Sequence, residues 1–231
     1  MLILQNVIIH FICEKIEEIE KTFENENLYV HRDTMDLIYS IPDDKQSKMF
    51  NQIFIDRYKL KEECKIYFRG LPYNIDSNFG QLNITNEDKT KREIQITLEG
   101  IEYLDDMSHM FELCKSLKKV IANKTDMGRV TNMRSMFEGC PNLEICDVSG
   151  WNVENVTSFR GLFYKCGNLK EIPGMNKWNP RKLKECEEMF FECCNKLGRS
   201  QIEQVDEWKN VSQDKKAEAK KGYDIFPFID L

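Results

Sequence analysis

Residues 133–146 read MRSMFEGCPNLEIC, and related stretches recur on both sides of them. These are MSHMFELCKSLKKV from Met107, FRGLFYKCGNLKEI from Phe159 and CEEMFFECCNKL from Cys186. Their phenylalanines lie 26, 26 and 27 residues apart, at Phe111, Phe137, Phe163 and Phe190. Because several equivalent positions repeat together, this period predicts an array of stacked structural repeats.

The spacing inside each stretch predicts its local structure. Met133, Met136, Phe137 and Cys140 stand at i, i+3, i+4 and i+7, which is one face of a helix of about two turns. The following stretch, LEICDV over 143–148, has the residue types of a short strand. We therefore expect each repeat to contain a short strand, a turn and a short helix.

The longer stretch MRSMFEGCPNLEICDVSGWNVENVTS, from Met133, resembles the repeat of the BspA-like leucine-rich repeat family. The first repeat departs from that pattern, since Thr125 replaces its tryptophan, and the fourth loses the pattern after Cys193. The resemblance implies an α/β fold, a short leucine-rich-repeat solenoid of strand–turn–short helix coils. It also implies an interaction scaffold or a surface protein, as in bacteria and single-celled eukaryotes.

We predict four regions along the chain. Residues 1–27 form an amphipathic helix, and 28–100 are a β-rich N-terminal cap or lead-in, with an independent β domain as the alternative. The repeats occupy 101–198. Residues 199–231 supply a helical C-terminal cap and an apolar tail, since a repeat array needs atypical ends.

Composition limits the classes of function. The chain has 231 residues, 41% hydrophobic residues and a net charge of −6, an ordinary balance for a globular protein without a basic, nucleic-acid-binding surface. The apolar run in 1–13 is shorter than the ~20 residues of a transmembrane helix, although a targeting segment stays an alternative. Without a clean secretory signal, an intracellular location is favoured. Four N-x-S/T sequons keep a secreted or cell-surface location open.

No arrangement of catalytic or metal-binding residues stands out. The three histidines are isolated, and the nine cysteines form no C-x-x-C pair and no zinc-ligand spacing. We therefore expect no catalytic residue, metal, cofactor or small-molecule substrate, and we expect the cysteines to be reduced core residues. A thiol-dependent enzyme, with His109 beside Cys114, is the remaining enzymatic alternative.

Two surfaces are candidates for binding another protein. The repeat spacing aligns outward strand positions into columns, so the first candidate set is Lys119, Ile121, Ile145, Asp147, Glu171 and Pro173. The second lies in the tail YDIFPFIDL, at Phe226, Phe228 and Leu231, which either folds back or docks into a partner.

These observations favour a non-enzymatic scaffold that binds other proteins, as a structural subunit of a larger assembly. A cell-surface or secreted adhesion protein is the alternative that the family resemblance suggests. The partner, the biological process and the oligomeric state are not encoded in any motif that we recognise.

Overall fold

A computed structural model describes residues 33–58, 63–122, 125, 127–193 and 196–222. The described residues all belong to one compact unit, which begins at Asp33. The predicted helix over 1–27 and the tail residues Phe226, Phe228 and Leu231 lie outside the described residues.

The described residues are organised around one open, mixed sheet of six strands in the order β3-β2-β4-β1-β5-β6. β1 pairs antiparallel with β4 on one side and with β5 on the other, while β5 and β6 are parallel. The strands are β1 Thr34–Ser40, β2 Lys65–Phe68, β3 Leu71–Asn74, β4 Glu93–Glu99, β5 Leu117–Ile121 and β6 Ile145–Asp147.

This sheet corrects the predicted fold. The leucine-rich-repeat solenoid with a β-rich N-terminal cap and a helical C-terminal cap is wrong, although the general α/β class is right. The strands before residue 100 belong to the same sheet as β5 and β6, because β1 bonds directly to β5. The limits of the four predicted regions stay a prediction.

The α-helices of the described residues are short, and local caps explain several of their starts. They are α1 Gln52–Tyr58, α2 Asn86–Lys91, α3 Arg199–Glu203 and α4 Gln213–Lys220. Thr85 and Asp88 form a reciprocal capping box at the start of α2. Within the region predicted to be β-rich, α1 is a helix, and the Asn51 side chain accepts from the N–H of Ile53 at its start. Helices α3 and α4, in the predicted C-terminal cap, are separate.

The repeated stretches, hereafter segments 1 to 4 from Met107, Met133, Phe159 and Cys186, consist of turns rather than the predicted helices. Each contains two residues in the left-handed region, for example Ser135 at φ 53° and Gly139 at φ 66° in segment 2. A left-handed residue interrupts an α-helix, and the same apolar positions still point inward. The i, i+3, i+4, i+7 pattern was therefore compatible with either structure.

Adjacent segments are joined by backbone hydrogen bonds. In segment 2 the N–H groups of Ser135, Phe137 and Gly139 donate to carbonyls of segment 3 at 2.8–3.0 Å. The intervening N–H groups close turns within the segment, as Met136 does onto the carbonyl of Met133 at 3.3 Å. The same alternation links segments 1 and 2 and segments 3 and 4. The repeat length in the sequence is therefore the spacing between backbone segments that hydrogen-bond to each other.

The core lies between the sheet and the repeated segments. Phe137 stacks between Phe111 and Phe163, with ring centroids 5.4 and 5.5 Å apart, and the column ends at Phe190. All four rings are buried, as are the inward residues Leu37, Ile96 and Val120 of the sheet. One apolar core therefore joins the N-terminal strands to the repeats.

Candidate functional site: the open face of the sheet

Within the described part of the chain, strand alternation leaves the side chains on one side of the sheet partly accessible. In β1 the buried residues Met35, Leu37 and Tyr39 alternate with half-buried residues, and β4 shows the same inward alternation. Because successive side chains of a strand point to opposite faces, the non-buried residues share the other face. We call this surface the open face; its central residues are Asp36, Ile38, Gln95, Thr97, Lys119, Ile121, Ile145, Asp147, Glu171 and Pro173.

The structure brings the six predicted strand residues together on the open face. Lys119 pairs with Ile145, and Ile121 pairs with Asp147, in the parallel register of β5 and β6. Glu171 bridges to Ile145, and the carbonyl of Pro173 accepts from the N–H of Val148 at 2.9 Å. The six residues therefore lie side by side as the repeat spacing predicted, and their role in binding stays a prediction.

The open face continues onto strands for which no site residue was predicted. Ile38 lies beside Lys119, and Asp36 lies beside Ile121, across the β1–β5 pair. The Thr97 hydroxyl donates to the Asp36 carboxylate at 2.6 Å. The alternation in β1 and β4 is a signal for outward residues, but neither strand contains the repeat that reveals their neighbours.

The open face combines apolar and charged side chains. Ile38, Ile121 and Ile145 keep part of their surface accessible to solvent, close to Asp36 and Asp147. Such a mixture of an apolar centre with charged neighbours is typical of surfaces that contact other proteins.

Ion pairs lie in the strand segments next to this surface. Lys170 donates to the Glu144 carboxylate at 2.7 Å, and this hydrogen bond lowers the pKa of Glu144. Lys118 contacts Glu93, and that hydrogen bond raises the pKa of Lys118. Charges at these positions are therefore already paired within the chain.

The cysteines of the repeats form a different, inaccessible column. The seven described cysteines are buried, and none of them forms a disulfide with another described cysteine. The thiols of Cys140 and Cys166 donate to the carbonyls of Phe111 and Phe137 at 2.9 and 3.0 Å, so each contacts the preceding segment. These residues fill the core and bond the backbone, as expected for structural thiols.

Burial makes these thiols poor nucleophiles. It raises the pKa of Cys114 to about 12 and raises the pKa values of Cys140 and Cys166. The proposed His109–Cys114 pair is not formed, because Cys114 donates to the Met49 carbonyl at 3.4 Å and His109 Nδ1 contacts Glu112 at 3.0 Å.

The described residues contain no cluster of three or more His, Cys, Asp or Glu side chains that could hold a metal ion. Within the same residues, no helix has the length and apolar character needed to cross a bilayer.

The fold and the open face define an α/β protein with one open sheet joined to an array of repeated turns. The family described as "Mycoplasma protein of unknown function, DUF285" matches residues 82–221. Since this match covers more than half of the sequence, the chain belongs to that family. No curated protein and no solved structure matches the chain.

Proposed function

We propose that this protein is a non-enzymatic binding module whose open face docks onto another protein. The observation that supports this proposal is that half-exposed Ile38, Ile121 and Ile145 share one face of neighbouring strands with charged side chains. They lie in two cross-strand rows, Ile38–Lys119–Ile145 and Asp36–Ile121–Asp147. Partly accessible apolar side chains rimmed by charged ones are a feature of protein contact surfaces.

The charges on the open face favour a protein over a nucleic acid. Lys119 is close to Asp147 and Glu171, and Asp36 lies on the next strand. Surfaces that bind a phosphate backbone instead present clustered Lys and Arg side chains. A partner with an apolar centre and charges of both signs fits this face best.

The same proposal includes a role as a subunit of a larger assembly in the cell interior. The free, buried cysteines agree with a reducing compartment, where thiols stay unpaired. The surface residues of this module would then be contacts inside the assembly.

The second candidate function is a cell-surface or secreted adhesion protein. The resemblance of MRSMFEGCPNLEIC to the BspA-like repeat favours it, since that family includes surface proteins. Glycans at sequons such as Asn155-Val-Thr157 on protein isolated from its source cells would support this alternative. A thiol-dependent enzyme is disfavoured by the burial of the described cysteines.

A matched pair of double variants tests the open face. Ile145→Arg with Asp147→Lys changes the open face, and Ile53→Arg with Asp56→Lys makes the same changes on exposed α1. Each tagged protein is used to recover bound proteins from its source cells, after its thermal unfolding has been compared with that of the wild type.

We expect the α1 variant to retain the proteins that the wild type binds and the open-face variant to lose them. An arginine in an apolar interface centre leaves a buried charge unpaired, which weakens binding by about 2 kcal/mol or more. Retention of the same proteins by the open-face variant would contradict the proposal and would direct attention to residues 223–231.

A further inference from the structure

The two ends of the segment array are completed differently. Each segment donates its alternate N–H groups to carbonyls of the next segment, so segment 1 has unpaired carbonyls and segment 4 has unpaired N–H groups. These two rows of backbone groups need other partners, because unpaired polar backbone groups are costly when buried.

At segment 1, α1 and the residue before it provide those partners. The Asn51 N–H donates to the Met110 carbonyl at 3.0 Å, and the Asn51 side chain donates to the Glu112 carbonyl at 3.2 Å. Arg57 and Tyr58 donate to the Asp106 carbonyl at 3.2 and 3.0 Å. This end is closed by matched donors, so a second copy of the chain finds no free carbonyl row there.

At segment 4 the equivalent N–H groups lack acceptors within the described part of the chain. They belong to Cys186, Glu188, Phe190 and Glu192. Phe190 has no exposed surface, so its N–H is also shielded from water. This end therefore has the hydrogen-bonding pattern of an interface without the chain that would complete it.

Helix α4 covers segment 4 only in part. The carbonyl of Lys215 accepts from the Cys186 thiol at 3.3 Å, but the buried residues of α4 are only Lys216 and Ala219. Beside it lies a cleft of about 270 Å³, lined by Glu187, Glu188, Phe191, Glu218, Lys221 and Gly222. Of its own surface α4 buries little that is apolar, so the hydrophobic cost of moving it aside comes mainly from exposing segment 4 residues such as Phe190.

The cleft favours a cationic ligand. Of its three lining glutamates, Glu188 pairs with Arg160 at 3.9 Å and Glu218 pairs with Lys215, which leaves Glu187 as the carboxylate available to a ligand. The Oε2 atom of Glu187 is buried and has no hydrogen-bond partner among the described residues. A buried carboxylate oxygen without a donor is unusual, and a Lys or Arg side chain would supply a charge-assisted hydrogen bond.

We propose that segment 4 binds an extended segment of a partner protein, which adds next to Glu188, Phe190 and Glu192 and places a Lys or Arg side chain against Glu187. The partner's carbonyls accept from the unpaired N–H groups, as segment 3 does for segment 2. α4 moves aside where the segment passes Phe190. This surface is separate from the open face and extends the proposed function.

The probe is a synthetic peptide that copies residues 157–167 with Cys166→Ser, TSFRGLFYKSG. Its template is segment 3, whose carbonyls at Arg160, Leu162 and Tyr164 accept from segment 2. It contains Arg and Lys but no acidic residue. The control peptide has Gln in place of both basic residues.

The binding test uses the full chain, Glu187→Gln, and Glu63→Gln as a matched variant at an exposed glutamate before β2. We expect saturable binding of the basic peptide, weakened about tenfold by Glu187→Gln and unchanged by Glu63→Gln. Hydrogen exchange at the Glu188 and Glu192 amides should slow about tenfold when the peptide is bound.

Three results would overturn the proposal. The first is no saturable binding at about 1 mM peptide, the weakest affinity worth assigning. The second is binding that leaves exchange at Glu188 and Glu192 unchanged or that Glu187→Gln does not weaken. The third is binding only after deletion of residues 223–231, which would make the chain's own tail the occupant of this end.

Discussion

Strands β1 and β4 and the segments around Phe137 and Phe163 bury equally apolar side chains, but different hydrogen bonds hold them. β1 and β4 exchange bonds in an antiparallel ladder over Thr34–Ser40. The segments bond to neighbours about 26 residues away and close turns within themselves. The comparison teaches that apolar spacing fixes which residues enter a core, whereas backbone conformation decides which segments are joined.

The largest predicted effect is on the column of stacked phenylalanine rings in the repeats. Phe137→Ala should lower the free energy of unfolding by about 3–5 kcal/mol, because it leaves a cavity between two stacked rings. Urea denaturation measures the change. Phe191→Ala, at a half-buried ring of segment 4, is the control and should cost less. An unchanged urea denaturation midpoint for Phe137→Ala would mean that the stacked rings do not stabilise the core.

The next effect separates left-handed positions by their surroundings. Gly174 has φ +87°, and a Cβ there would lie 2.2 Å from the Ser149 Cα, whereas at Gly161, φ +61°, the nearest atom would be 3.4 Å away. Gly174→Ala should cost about 2 kcal/mol or more, and Gly161→Ala about 1 kcal/mol. Thermal unfolding compares the two variants; equal losses would show that backbone contact does not matter at Gly174.

The third effect appears only at alkaline pH and concerns the buried thiols of the repeats. Burial raises the pKa of the Cys114 thiol to about 12, against about 8.5 in an unfolded chain. The folded state therefore holds this proton more tightly. The contribution of this bound proton to the free energy of unfolding is fully present below about pH 8.5. It falls by about 1.4 kcal/mol per pH unit as the pH rises toward 12.

Cys114→Ala removes that contribution. Urea denaturation under reducing conditions at several pH values between 8 and 10 should give a shallower loss of stability for the variant than for the wild type. The slopes of stability against pH are compared, rather than the absolute stabilities, because the cavity left by the substitution lowers stability equally at every pH. Identical slopes would mean that Cys114 ionises as easily in the folded protein as in the unfolded chain.

The sequence predicted the contents of the core better than the backbone. It predicted that the cysteines of the repeats are core residues and that the region before residue 100 is β-rich, where β1 to β4 lie. It did not predict the turns, because left-handed backbone at Ser135 and Lys165 has no glycine to reveal it. An α-helix and these turns both bury apolar residues at the same sequence spacing.

The candidate site shows the same limit. The columns through Ile145 and Asp147 followed from the repeat, since equivalent positions must align. Ile38 and Asp36 were missed because β1 is not a repeat, and the antiparallel pairing that brings it beside β5 depends on contacts distant in sequence. For that reason the sequence did not predict that the N-terminal strands and the repeats share a single sheet.

The most direct test of this account is the hydrogen bond of the Phe137 amide. NMR couplings transmitted through hydrogen bonds identify the acceptor of each amide in an isotope-labelled protein. We predict a coupling between the Phe137 nitrogen and the Leu162 carbonyl carbon, which are joined by a 3.0 Å bond between segments 2 and 3. A coupling to the Met133 carbonyl carbon would instead mean an α-helix and would contradict the account.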